Sequence, residues 1–277
     1  MYHINTIKYL YLPMTNISKN TSLKLALNPD DYMPGISIDC VIFGYSNQQL
    51  KILLLKWKHQ NLWTLPGGFI RKNEDMKDAA NRVLEERTGL KSVFLNQFHT
   101  FGDIERSLQN GKEQLKRMEF IRQSKLHNDE VIGWLNNRFI TTGYFALVDL
   151  HKTKPEPDAL SETCEWKSLT EMPDLMMDHK QIVDKALTHL RIQLNYLPIG
   201  LSLLPTKFTF LDLQKLYEAI LQKPLERSNF QRKVLKLGIL KRHEKQMTGA
   251  ANKAPYLYSF EKKKFKTLIE EGIGFSY

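Results

Sequence analysis

The residues best equipped for chemistry lie between Gly68 and Leu90, in GFIRKNEDMKDAANRVLEERTGL. A turn rich in glycine, Leu65-Pro66-Gly67-Gly68, runs into a segment where Met76, Ala79, Ala80, Val83 and Leu84 recur at helical spacing and Gly89 supplies a stop. Carboxylates on one helix face could ligate a divalent cation, which takes oxygen ligands. Positions 83, 86 and 87 stand at i, i+3 and i+4 and are expected to share one face. They hold Val83, Glu86 and Arg87, so a single carboxylate stands beside a side chain that cannot ligate and a fixed positive charge that opposes a cation. Glu85, two residues from Val83, is expected to turn away from that face. Glu74 and Arg82 read as a carboxylate–guanidinium brace between the loop and the helix.

A second group of candidates sits near the C-terminus. The net charge is +10, and residues 201–277 hold 15 Lys and Arg against 7 Asp and Glu, so the excess is concentrated where it would attract a polyanion. Within that quarter, TFLDLQKLYEAIL predicts a helix capped by Thr209 and Asp212 that buries Leu213, Leu216, Tyr217 and Ile220. SNFQRKVLKLG predicts a second helix, with Phe230, Val234 and Leu237 inward, Arg232, Lys233 and Lys236 outward, and Gly238 as its end. ILKRHEKQMTGAANKAPYLYSF then reads as two strands around a basic loop, followed by a short helix in KKKFKTLIEE. Helix, basic helix and hairpin in this order resemble a winged helix-turn-helix domain. Ser228, Asn229, Gln231, Arg232 and Lys233 are the DNA-binding candidates on its recognition helix, and Lys241, Arg242 and Lys253 those on its wing.

The elements that must position the first group come earlier. Ile36–Gly44 and QLKILLLKW predict a strand pair, and Val93–Phe98 another strand. Residues 105–138 read as a polar, helix-compatible insertion that the strand TTGYFALVDL closes. KTKPEPDAL is a loop and CEWKSL a short strand. A helix is expected over 174–194, with Leu175, Ile182, Ala186, Leu187, Leu190 and Leu194 inward. The prolines and glycine after Asn195 place a boundary there. The expected organisation is a leader over 1–34 with room for one strand, a domain over 35–197 and a domain over 198–277. No apolar run approaches the roughly 20 residues a bilayer span requires, and no export signal is legible, so no membrane and a cytoplasmic location are expected. Two cysteines, Cys40 and Cys164, exclude a framework of several disulfides and a four-cysteine metal site, and reduced thiols are expected.

The segment 68–90 resembles the Nudix box. Gly68, Glu74, Arg82, Leu84, Glu86, Gly89 and Leu90 match that pattern at its spacing, while Val83 and Arg87 replace two glutamates of the metal-binding face. With the winged segment, the resemblance extends from about Ile36 to Phe260 and is to the Nudix-related transcriptional regulators, typified by bacterial regulators of NAD metabolism and of sugar utilisation. It implies an α+β chain, a Nudix α/β/α sandwich followed by a winged helix-turn-helix domain. It further implies a homodimer on palindromic double-stranded operator DNA and a small-molecule effector, a pentose sugar or an ADP-ribose-like nucleotide, sensed in the former catalytic cleft. The residues carried over to that cleft are Gly68, Glu74, Arg82, Glu86 and Arg87. No cofactor is then required. Mg²⁺ enters only if hydrolysis is retained, with Glu86 as its ligand and catalytic group and Glu105, Glu113 or Glu119 as replacements from the insertion. The competing reading is a Mg²⁺-dependent hydrolase of nucleoside diphosphate derivatives that uses its C-terminal domain for dimerisation or docking. A bifunctional regulator that slowly hydrolyses its own effector is the third.

Overall fold

Strand β1 (Gly35–Ser46) sets the architecture, because nearly every residue from Ile38 to Phe43 is fully buried and both its faces therefore need cover. The computed structural model describes residues 35–58, 61–91, 93–107, 134, 137–194, 203–246 and 254–271. The expected leader, most of the insertion, the boundary over 195–202 and the basic wing loop over 247–253 lie outside these residues.

β1 turns through Asn47 and Gln48, both with positive φ (52° and 59°), into β2 (Gln49–Trp57), so the expected pair is a two-residue hairpin. Short strands β3 (Trp63–Thr64) and β4 (Gly67–Phe69) follow, then α1 (Met76–Thr88), which ends at Gly89 in the left-handed conformation with φ 72°. β5 (Leu95–Phe101), β6 (Phe139–Val148) and β7 (Ser161–Ser168) complete a seven-stranded mixed sheet ordered β3-β2-β1-β6-β5, with β4 paired to β1 and β7 to β2. α2 (His179–Gln193) closes the domain.

The period of two along β1 sorts its side chains between two layers. Ile38, Cys40 and Ile42 meet Ala79, Ala80, Val83 and Leu84 of α1, whereas Val41 and Phe43 join the cluster holding Ile182, Val183, Ala186 and Leu190 of α2. This is the expected α/β/α sandwich. Cys40 and Cys164 are free and buried, and burial pushes the Cys164 thiol up to about 12, so neither is a reactive thiolate at neutral pH.

The second layer continues into the C-terminal part, where Leu203, Leu216 and Ile220 belong to the same cluster as Leu190 and Leu194. There β8 (Phe208–Thr209) leads into α3 (Phe210–Leu221), α4 (Arg227–Lys236), β9 (Leu240–Lys245), β10 (Tyr256–Phe260) and α5 (Lys262–Glu271). The strands form a sheet ordered β8-β10-β9, the wing of a winged helix domain. Phe208, Phe210, Leu213, Phe230, Val234 and Tyr258 make its own core.

Three expectations are corrected. α2 starts at His179 rather than near 174, because Leu175 bridges to Trp63 and the Met176 amide donates to the Trp63 carbonyl at 2.8 Å, so these residues extend the sheet edge instead of a helix. Leu237 is exposed, since it caps α4 just where Gly238, at φ 66°, turns the chain away. The strand expected at 93–98 forms at 95–101, with a register shift between Gln97 and His99.

The cap of α3 is as expected. Thr209 Oγ1 accepts from the Asp212 amide at 3.2 Å, and Asp212 Oδ2 accepts from the Thr209 amide at 2.8 Å. Thr209→Ala is expected to cost about 1 kcal/mol in urea unfolding, because the Asp212 amide loses its acceptor and the Asp212 carboxylate loses the Thr209 hydroxyl. An unchanged midpoint would show that the cap contributes nothing in this context.

Candidate functional site

The loop before α1 is held as expected from Glu74 and Arg82. Glu74 accepts from Arg82 Nε at 2.7 Å, from Arg82 Nη2 at 2.9 Å and from the Arg71 amide at 3.1 Å, while Arg82 Nη2 also donates to the Phe69 carbonyl at 3.0 Å. The Arg82 bond, aided by the Arg71 amide, holds the Glu74 carboxyl down to about 2. Both residues are thus committed to joining the glycine turn to the helix.

The remaining face differs from the expectation in two respects. Val83 is not on an exposed face with Glu86 and Arg87: it is in the core, and a Cβ on Gly68 would stand 3.1 Å from its methyl. Glu85 is not turned away, since it lines the same shallow cleft as Glu86, with Arg82, Gly89 and Glu156. Glu86 lies between two guanidinium groups, 3.5 Å from Arg82 and 3.3 Å from Arg87. Arg87 in turn donates to the Glu156 carbonyl at 3.1 Å, and the Glu156 and Lys154 amides return bonds to the Arg87 and Thr88 carbonyls. A divalent cation does not fit this donor set. Of the glutamates lining the cleft, Glu86 is balanced by Arg82 and Arg87 and Glu85 is paired with Lys91 at 3.1 Å, and no cluster of three His, Cys, Asp or Glu suited to a metal occurs among the described residues. The backbone of Glu105 lies in a 3₁₀ turn over Ile104–Ser107, and Glu113 and Glu119 lie outside the described residues.

On the other side of the glycine turn lies a cavity of about 200 Å³. Its wall is largely apolar, with Leu55, Trp57, Leu65, Met176 and Met177, and it includes Gly67 and Gly68. Phe69 and Phe139 stand at its edge and pack with Trp134, with ring centroids 4.4 Å from Trp134 to Phe69 and 5.0 Å from Trp134 to Phe139. Six polar side chains interrupt the wall, Ser37, Asp39, Thr64, Arg106, Asp158 and His179, of which the ionisable Asp39, Arg106 and His179 are buried. Arg106 Nη2 donates to Asp39 at 3.1 Å, Nε to Asp178 at 2.6 Å and Nη1 to the Phe139 carbonyl at 3.0 Å, and all three charged groups are buried. His179 Nδ1 accepts from the Leu65 amide at 3.0 Å, so that nitrogen is unprotonated, and burial lowers the His179 pKa. A Cβ on Gly67 would meet Asp39 Oδ1 at 2.7 Å and the Ile38 carbonyl at 2.8 Å, which is why the turn needs glycine where it crosses β1. The sequence analysis missed Asp39, Arg106, Asp178 and His179. The available signal was Asp39 itself, a carboxylate inside an otherwise apolar strand.

In the winged part, α4 exposes Ser228, Asn229, Arg232 and Lys233, half-buries Gln231 and buries Phe230 and Val234. Arg232 donates to Asn229 Oδ1 at 2.5 Å. Glu226 accepts from the Ser228 and Asn229 amides at 2.8 and 2.6 Å. The first-turn amides are therefore occupied by a carboxylate, and the side chains of this face are what remain to meet a polyanion. On the wing, Lys241 and Arg242 are exposed, Arg242 lies 4.6 Å over the Tyr256 ring, and Lys253 lies outside the described residues.

Comparison with known proteins follows the same division. Residues 33–186 match the NUDIX domain model, and residues 200–260 match that of the NrtR DNA-binding winged helix domain. The ADPR responsive transcriptional repressor NtrR of Acinetobacter baylyi is 29% identical over 254 residues, covering 88% of this chain and 90% of that protein. Shewanella oneidensis NrtR, solved with a 27mer DNA, superposes with a TM-score of 0.61 at 25% identity, over 83% of this chain and 95% of that one. A MutT/nudix family protein of Enterococcus faecalis shares the fold, with a TM-score of 0.59 at 20% identity over 83% and 87% of the two chains. No helix among the described residues is long and apolar enough to cross a membrane.

The buried histidine gives a pH dependence whose sign is fixed. With the folded-state pKa below the unfolded value of about 6.5, the unfolded chain takes up a proton that the folded one does not. Stability is therefore lost as pH falls below about 6.5, until the folded-state pKa is passed, by up to about 1.4 kcal/mol per pH unit. His179→Gln, which still offers an acceptor to the Leu65 amide, is expected to remove this component in urea unfolding between about pH 5 and 7. Equal slopes for the two proteins would refute the assignment.

Proposed function

We propose, from the premise that this chain belongs to the Nudix family and carries the winged helix domain of the Nudix-related transcriptional regulators, that it binds operator DNA under the control of a small molecule held in the Nudix domain. The observation that carries this reading is the state of the Nudix-box helix. Where a hydrolase needs clustered carboxylates, this chain has a buried valine and an arginine bonded to Glu86 and to the Glu156 carbonyl, while a separate cavity stands beside the same glycine turn.

The cavity favours an ADP-ribose-like ligand over a bare pentose. Phe69 and Phe139 give the cavity an aromatic wall against which a base can pack and a pentose cannot, and the polar wall at Asp39, Arg106 and His179 suits ribose hydroxyls. The similarity to an ADPR responsive repressor supports the same choice. At the other end of the molecule, Arg232 and Lys233 enter the major groove, Lys241 and Arg242 reach neighbouring phosphates, and a homodimer places two such helices on a palindrome. Effector binding changes the placement of the paired helices, and half-sites at fixed spacing turn that change into gain or loss of affinity.

The test is binding of the purified protein to fragments upstream of its own gene, at two salt concentrations, with ADP-ribose, a pentose or neither. Salt-sensitive, fragment-specific binding altered by ADP-ribose is expected. Binding altered only by the pentose would replace the ligand. No specific binding, together with Mg²⁺-dependent ADP-ribose turnover that Glu86→Gln abolishes, would establish the hydrolase instead.

Arg232→Ala is expected to weaken operator binding by about 1–3 kcal/mol and to relax specificity at the base it reads, while Lys233→Ala weakens all fragments alike and lowers the salt slope by about one. Both side chains are exposed, so thermal stability should be unchanged in each. A collapse in melting temperature for Arg232→Ala would show that it supports the fold rather than the interface.

A further inference from the structure

Helix α2 touches the cavity at one end and the winged part at the other. At its start, Met176, Met177 and His179 line the cavity, and Asp178 is bonded to Arg106. Met177 has φ 55°, a left-handed conformation that a side chain of this size rarely adopts. It is held there between Met176, fixed to the Trp63 carbonyl, and Asp178. Along the helix, Ile182, Val183, Ala186, Leu187 and Leu190 are buried against the sheet. At its end, Arg191 Nε donates to the Ile220 carbonyl at 3.0 Å and Nη2 to Gln222 Oε1 at 2.7 Å, both at the C-terminal end of α3. Tyr217 reaches the Leu194 carbonyl at 3.5 Å, and its ring packs on Phe230 of α4 at 5.1 Å. Fifteen residues of helix span roughly 22 Å between the two ends.

We propose that α2 is the rigid link through which the occupied cavity displaces the DNA-binding helix pair, with Asp178 and Arg191 as its anchored ends. The inference rests on the sensor reading above and names the element that reading requires. A close-packed helix moves as a body, so a ligand that shifts Met177 or the Arg106–Asp178 contact moves Arg191 with it. Arg191 grips the last turn of α3 by its free carbonyl, and α3 carries α4 through Tyr217, Phe210 and Phe230. Arg191 is a positioning residue. A competing route runs through the sheet, since Tyr45 at the end of β1 also packs on the cluster shared with α3.

The routes are separated by a variant cycle that needs no effector. In the full chain, Asp178→Asn is expected to speed amide exchange at residues 217–222 by about threefold or more, and to add nothing further once Arg191→Met is present. Met177→Gly, which relieves the left-handed residue, serves as the milder perturbation of the same end. Exchange at 217–222 that ignores both changes, or that rises equally in the presence of Arg191→Met, overturns the link. With ADP-ribose as probe, Arg191→Met should bind it within about twofold of the parent protein, yet the ratio of operator affinities with and without it should fall to within about twofold of one. Arg191→Lys should recover part of the ratio, which a merely structural loss would not allow. A full ratio in Arg191→Met also refutes the proposal. If the exchange cycle behaves as expected while no effector changes operator binding in the parent protein, the sensor reading fails and the link stands.

Discussion

The Arg106 guanidinium joins three parts of the Nudix domain that the chain order keeps far apart. It holds Asp39 on the central strand, the carbonyl of Phe139 where β6 begins and Asp178 where α2 begins. All of these groups leave water on folding, and in a buried cluster the loss of one member strands the others, so they form together or not at all. That condition fixes the base of the insertion to the central strands β1 and β6. It also sets the start of α2, and with it the wall of the cavity. His179 follows from the same placement, since its ring accepts the Leu65 amide just before the glycine turn.

The glycine turn is therefore shared between two constructions. Gly67 allows β4 to cross over Asp39, and Gly68 allows it to lie against Val83. One side of the turn supports the ionic cluster and the cavity, and the other the helix of the Nudix box. A change in either is felt in the other through backbone that has no room to yield. In the winged part the constraint is simpler. Phe230 and Val234 fix the rotation of α4, which leaves Asn229, Arg232 and Lys233 on the outer face whatever they do there.

What the sequence disclosed was local. The β1–β2 hairpin, α1 with its Gly89 stop, the Thr209 cap and the Gly238 stop each depend on residues within a few positions of one another, and each formed where spacing indicated. The Glu74–Arg82 brace was legible for the same reason, being eight residues long and part of a recognisable pattern. The buried cluster was not, because Arg106 meets its partners across 67 and 72 residues and nothing in the polar segment around it sets it apart. α2 began late because Leu175, the first apolar residue of the expected helical stripe, and its neighbour Met176 found sheet-edge pairing with Trp63 first. Periodicity reports that a side chain will be buried, and here it could not distinguish burial by a helix from burial by a strand edge.

The altered box is better understood as a charge balance than as a loss. Around the helix face Glu74 and Glu86 are engaged by Arg82 and Arg87, and Glu85 by Lys91. Carboxylates engaged by guanidinium and ammonium groups carry their counter-charge with them, which a cluster of bare carboxylates does not. Arg87 does more than occupy a glutamate's position, because its side chain and backbone together pin the loop around Glu156 to the end of α1. Val83 likewise seals the helix against Gly68, where a carboxylate would be buried without a partner. The two replacements are thus mutually consistent: one removes a charge from a position that has become core, and the other supplies the charge that neutralises the carboxylate left behind.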